Sequence, residues 1–201
     1  MMKRIAVFAS GSGTNAQNLV QFFNFDHPEK SVKISLILSN RPDAYVLERA
    51  KLMNIPMLLF HRNDFYPTHN EHIFPIIAAL AQHQIDYIVL AGFLWLIPQY
   101  LLDAFPCRIV NIHPALLPRF GGKGMYGKYV HRAVVSSGET ESGITIHLVD
   151  NQYDHGSTLF QARCRVESGE TPESLAHKIH LLEQEFFPKV IDEWINGKPL
   201  Q

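Results

Sequence analysis

Five short apolar runs, at residues 4–8, 33–38, 56–60, 86–91 and 108–112, constrain this chain more than any other feature. They lack the strict alternation of a strand with one wet face, so each needs cover on both sides. Between them lie stretches of helical character at 15–23, 44–53, 70–82 and 98–104. The second is closed by "MNIP", where Asn54 and Pro56 act as stop signals. Strands alternating with helices must be joined by crossovers, and those are right-handed. The expected fold class is therefore α/β, a doubly wound, mostly parallel sheet with helices on both faces. Two further strands are expected at 143–148 and 158–166. A last helix starts with Thr171 as N-cap and Pro172 in its first position, and Gly197 and Pro199 lie just past its end. With no internal repeat and no linker-like stretch, residues 1–201 read as one domain.

A chain of 201 residues, 46% hydrophobic and 18% charged, can bury a sizeable core. Its formal net charge of -1 offers no basic face, so neither a nucleic acid nor a membrane surface is expected as partner. Cys107 and Cys164 are too few for a disulfide framework and are read as free, buried thiols in a reducing compartment. The apolar stretch of "MMKRIAVFAS" ends at Ala9, too short for a signal-peptide core. No apolar run approaches the roughly 20 residues that span a bilayer. A cytoplasmic location is expected.

Directly after the first strand comes "ASGSGTNAQNLV". Gly11 and Gly13 allow a tight turn, and Ser12, Thr14 and Asn15 offer small hydrogen-bonding groups. The helix that follows aims its unpaired N–H groups and positive dipole end at this turn, an environment that suits an anion. The pattern is neither G-x-G-x-x-G nor a Walker loop, since no lysine follows the glycines. A monophosphate ester held by main-chain donors fits better than a dinucleotide or ATP. The same residues also make ordinary turns and caps; the position at the carboxyl edge of a parallel sheet favours binding.

"RIVNIHPALLPRF" places Asn111 and His113 two apart at the end of the fifth apolar run. On a strand both side chains point to one side, while Ile112 faces the other. Pro114 and Pro118 keep the following chain extended. An amide and an imidazolium so placed can stabilise the oxyanion formed when an amine attacks a carbonyl carbon. A partner acid is expected at Asp154, in "HLVDNQYDHGSTLFQA", where it would raise the imidazole pKa and accept the amine's proton. His147, at a strand's end, would reinforce that acid. No metal site is expected: among eleven histidines, "HNEH" (His69, His72) lacks an adjacent third ligand.

Taken together, "FASGSGTN", "LILSNRPDA", "VLAGFLWLIP", "IVNIHPALLPRFGG" and "GITIHLVDNQYDHGSTLFQA" make the chain resemble the phosphoribosylglycinamide formyltransferases, Rossmann-like folate enzymes of purine synthesis, over nearly its whole length. The resemblance implies transfer of the formyl group of 10-formyltetrahydrofolate to the glycinamide amine of a ribonucleotide. It implies Asn111, His113 and Asp154 as the catalytic trio, and Ser12, Gly13, Thr14 and Asn15 as the phosphate-binding turn. Leu94, Trp95, Leu96 and Ile97, with Asn111, Val149, Asp150 and Asp154, would hold the folate. His147, Gly122 and Met125 would support the site. The ribonucleotide phosphate falls to the N-terminal half, and the catalytic aspartate with its folate loop to the C-terminal half. Folate is a cosubstrate, so no tightly bound cofactor is expected; the state is monomer or homodimer.

Two departures from that pattern stand out. Where Trp95 stands such enzymes often carry a basic residue, so one folate contact is either replaced by stacking or lost. The run 121–128, "GGKGMYGK", is longer than usual and reads as a lid over the ribonucleotide or a surface insertion. Among relatives sharing the "N-x-H-P" core, methionyl-tRNA formyltransferase would need a further carboxy-terminal domain and formyltetrahydrofolate hydrolase an amino-terminal one, and neither is expected here. A sugar-nucleotide formyltransferase is disfavoured by the "SGSGTN" turn. A non-catalytic binding module on the same scaffold would need no Asp154.

Overall fold

The structure is a computed structural model that describes residues 1–67 and 74–197. The strand order is β3-β2-β1-β4-β5-β6-β7, and the chain divides into two compact units, Met1–Ile109 and Val110–Gln201.

The first unit alternates strand and helix: β1 (Lys3–Phe8), α1 (Thr14–Val20), β2 (Val32–Ser39), α2 (Tyr45–Leu52), β3 (Met57–Leu59), the short α3 (Arg62–Phe65), α4 (Pro75–Gln82), β4 (Tyr87–Leu90) and α5 (Gln99–Ala104). β1 pairs in parallel with β2 on one side and β4 on the other, and β2 pairs in parallel with β3. Pairing on both edges and cover on both faces explain why Ile5, Val7, Phe8, Ile34, Ile37 and Leu38 are all fully buried. α1 runs on into a π-helical turn, Gln21–Asp26, whose Asn24 amide bonds both N–H and C=O of Ile34, on the stretch of β2 that β3 does not reach.

The second unit holds β5 (Ile109–His113, begun on the last residue of the first), α6 (Lys128–Ser136), β6 (Glu141–Leu148), β7 (Thr158–Arg165) and α7 (Pro172–Ile195). β6 runs antiparallel to both β5 and β7. α7 opens as expected, with Thr171 Oγ1 accepting from the Ser174 N–H at 3.1 Å. Pro188 lies in its interior, where buried Phe187, Val190 and Ile191 hold the helix together across one missing hydrogen bond.

Four expectations are corrected, the first being that the thiols are buried: Cys107 is exposed and Cys164 half-buried. The run at 56–60 is not covered on both faces: β3 is a three-residue edge strand with Met57 half exposed. The third helical stretch starts at Pro75 in the described residues, and 70–73 lie outside them, as do His69, His72 and Pro199. The chain after the glycine-rich run folds into α6, whose buried stripe is Val130, His131 and Val134. No helix among the described residues is long and apolar enough to cross a membrane.

Candidate active site

In the first unit, the turn after β1 is shaped by one glycine. Gly13 has φ 77°, and a Cβ there would lie 2.5 Å from Val46 Cγ2 and 2.8 Å from Val46 Cα. Only glycine fits, because the left-handed backbone and the approach of α2 both exclude a side chain. Gly13 also begins α1, its carbonyl accepting from Gln17 N–H at 2.9 Å, so the first N–H groups of the helix face out of its end beside exposed Gly11 and Ser12. Arg49 Nε donates to Ser12 O at 2.8 Å, a cation at this turn that sequence reading missed; it lies on α2, far along the chain. Ser10, also missed, is buried, and its hydroxyl donates to Asn40 Oδ1 at 2.7 Å and accepts from Leu94 N–H at 3.2 Å. It thereby ties the segment Leu94–Ile97 to the end of β1.

That segment sits on an aromatic cluster of the same unit. Trp95 contacts Phe60, Phe65, Tyr66 and Phe93 with ring centroids 5.7–6.3 Å apart. Tyr66 donates its hydroxyl to Leu96 O at 2.6 Å. The Arg62 guanidinium stands 5.0 Å from the Tyr66 ring centre and 5.9 Å from that of Trp95. A basic group is therefore present beside Trp95, supplied by α3 rather than by position 95. No sequence signal marked it, since α3 is only four residues long.

In the second unit, Asn111 and His113 lie on one face of β5, opposite His147 and Thr145 of β6. Asp154 reaches them from the β6–β7 connection with φ 55°, a left-handed conformation unusual for a residue other than glycine. Its Oδ1 accepts from Asn111 Nδ2 at 3.4 Å, and its Oδ2 lies 3.5 Å from His113 Nδ1. The Gly122 N–H donates to Oδ2 at 2.9 Å. His147 Nε2 lies 3.1 Å from Asn111 Nδ2 and 3.6 Å from Asp154 Oδ1, and its Nδ1 lies 2.8 Å from Leu148 O. Asn111 Nδ2 and His113 Nδ1 thus face the two oxygens of one carboxylate.

The other nitrogen of His113 is equally constrained. Nε2 lies 2.8 Å from Phe120 O, which can only accept, so Nε2 carries the proton and Nδ1 is left facing Asp154. Phe120 itself has φ 57°. Two left-handed non-glycine residues flanking one histidine are local strain held by the surrounding fold.

The protonation of His113 departs from expectation. Burial of the ring, 3% exposed, is the largest influence and lowers its pKa, outweighing the upward pulls of Asp154 and Phe120 O. Burial also pushes Asp154 upward, but the His147 contact, the His113 charge and the Gly122 N–H together hold it below its ordinary value. The site therefore rests as carboxylate beside neutral imidazole, a pair able to take up one proton.

The loops around the trio behave unevenly. Asp150 is occupied locally, Oδ1 accepting from Gln152 N–H at 2.9 Å and Oδ2 paired with His155 Nδ1 at 2.8 Å, so it shapes the 150–155 turn. Val149 is half-buried at the end of β6. Gly121 packs so closely that a Cβ would lie 3.2 Å from Asp154 Cβ and 2.5 Å from Leu117 Cδ2. Met125 N–H donates to Gly122 O at 3.0 Å, closing a turn within the glycine-rich run.

Residues 3–191 match the formyl transferase family. A phosphoribosylglycinamide formyltransferase of Arabidopsis thaliana, described as chloroplastic, is 39% identical over 189 residues. That alignment takes in 94% of this chain but 64% of the plant protein, so the chain spans slightly less than two thirds of that relative. The phosphoribosylglycinamide formyltransferase of Bacillus subtilis (strain 168) is 34% identical, with 96% of this chain and 94% of that protein covered. Among solved structures, glycinamide ribonucleotide transformylase 1 from Geobacillus kaustophilus is 39% identical with a TM-score of 0.82, covering 96% of this chain and 98% of that one.

Proposed function

The chain belongs to the formyl transferase family, and on that premise we propose that it moves the formyl group of 10-formyltetrahydrofolate onto the amine of a glycinamide ribonucleotide, as one formyltransferase domain. The observation that carries the reading is Asp154 within 3.4 Å of Asn111 Nδ2 and 3.5 Å of His113 Nδ1. A binding module has no need of a buried carboxylate beside an ionisable ring.

The amine nitrogen attacks the formyl carbon, and the carbonyl oxygen becomes an oxyanion. Asn111 Nδ2 turns one hydrogen from the carboxylate to that oxygen. Asp154 takes the proton the amine loses and shares it with His113 Nδ1, whose N–H becomes the second oxyanion donor. Phe120 O keeps the Nε2–H throughout, so the ring does not rotate. The bond from carbon to N10 of the folate then breaks, and the shared proton passes to N10. No protein nucleophile is required.

The phosphate is assigned to the turn at Ser12, Gly13, Thr14 and Asn15, and the folate to Leu94–Ile97 with Trp95 and to the loop from Val149 to Asp154. Support comes from the open helix end at Gly13 and from the Arg62-capped aromatic face. The test is absorbance of product folate as ribonucleotide is supplied. Turnover that collapses in Asp154→Asn and His113→Ala, in folded protein, upholds the reading; unchanged turnover in both ends it.

A further inference from the structure

The loop that leaves β5 folds back over a row of side chains. His113 stands opposite Thr145, and Thr145 opposite Gln161, so the three share one face across β5, β6 and β7. Thr145 is fully buried; its hydroxyl donates to Ala115 O at 2.7 Å and accepts from Leu117 N–H at 3.0 Å. Gln161 Nε2 donates to Leu117 O at 3.1 Å and to Thr145 Oγ1 at 3.0 Å. Leu117 O can only accept, so the amide nitrogen of Gln161, not its oxygen, must face it. His113 holds Phe120 O farther along the same loop. The residues Leu116 to Phe120 also border a cavity of about 250 Å³, walled in part by Gln161 and Arg163, so no packed layer backs the loop there. Hydrogen bonds from this row fix its path.

We propose that Gln161 is a positioning residue for formyl transfer: by clamping Leu117 through its amide and through Thr145, it sets the Phe120 carbonyl on His113 Nε2 and so keeps Nδ1 turned to Asp154. The inference rests on the functional reading above, which makes His113 Nδ1 the working atom. Its own content is that the tautomer and aim of that ring are set from β7, by a side chain that touches neither substrate nor His113. A glutamate at 161 would set one oxygen against both Leu117 O and Thr145 Oγ1, whose only hydrogen is committed to Ala115. Repulsion would then lift the loop. A methionine of similar length would remove the clamp without that repulsion.

The test compares Gln161→Met and Gln161→Glu with Arg163→Gln, a control at an exposed neighbour on β7. Two quantities are read: kcat and KM per folded molecule, and the titration midpoint of His113 by NMR of labelled imidazole. Gln161→Met should lower kcat by about tenfold or more with KM within about threefold, as displacement of a catalytic group by a fraction of an ångström does. Gln161→Glu should lower kcat further. In both, the His113 midpoint should move down as the ring loses Phe120 O, and Arg163→Gln should match wild type. A purely structural Gln161 would change the thermal midpoint alone, and unchanged kcat with an unmoved His113 titration overturns the inference. Should wild type itself fail to turn over, the functional reading falls, while the His113 midpoint still decides the clamp: a downward move in both variants sustains it and none overturns it.

Discussion

Oδ2 of Asp154 lies 3.5 Å from Nδ1 of His113, with both side chains almost shut off from solvent. This contact joins a strand end to a distant loop. If Asp154 is the proton acceptor, the amide of Asp154→Asn keeps the shape but not the base. Turnover should fall by about two to four orders of magnitude while the chain still folds, as loss of a positioned base typically does. Steady-state rates per folded molecule, with circular dichroism for folding, check it.

The turn at Gly13 admits no side chain. Gly13→Ala adds left-handed strain of about 1–2 kcal/mol together with overlap of Val46, which belongs to the next helix. Urea unfolding should show a loss exceeding the strain alone, and KM for the ribonucleotide should rise. Loss of stability without a change in KM would remove the phosphate from this turn.

The stability that His113 and His131 contribute should fall as the solution is acidified from pH 8 towards pH 5. Burial lowers the pKa of His113 and of His131 in the folded chain. The unfolded chain therefore takes up protons at these residues first, near the ordinary histidine value of about 6.5. Through that window each contributes a slope of at most about 1.4 kcal/mol per pH unit, which ends once the folded ring also protonates. Asp154 acts in a lower window: its pKa is held down, so its stabilisation is present above its ordinary 3.8 and is lost as pH falls below that. Urea midpoints across pH should show a flatter profile in His131→Gln.

Trp95 and Trp194 are the only tryptophans of the chain. If Trp95 lines the folate pocket, a folate analogue should quench its emission, and Trp95→Phe should abolish the change. Arg62→Ala should raise KM for the folate by about three- to tenfold with kcat nearly unaltered, the loss expected for one partly exposed cation over a ring. Equal folate KM in wild type and Arg62→Ala would place that cation outside the site.

Much of the fold is legible locally. Apolar runs without alternation mark β1, β2 and β4, and Thr171 with Pro172 marks the start of α7. Where reading failed, the missing cause was an edge or a neighbour. β3 is wholly apolar yet lies at the margin of the sheet, and α6 follows a glycine-rich run because its Val130 and Val134 find a surface to bury against. The contacts of the Asp150 carboxylate with Gln152 N–H and His155 likewise became visible only in the folded loop.

By itself the sequence determined the α/β alternation, the glycine needed at position 13 and the shared face of Asn111 and His113, since periodicity and backbone sterics act over a few residues. Tertiary structure alone decided that Asp154 meets His113 at Nδ1, that burial outweighs the carboxylate in setting the charge of the ring, and that Arg62 and Gln161 stand where they do. Those outcomes depend on desolvation and on contacts between segments remote in the chain, and no local spacing encodes either.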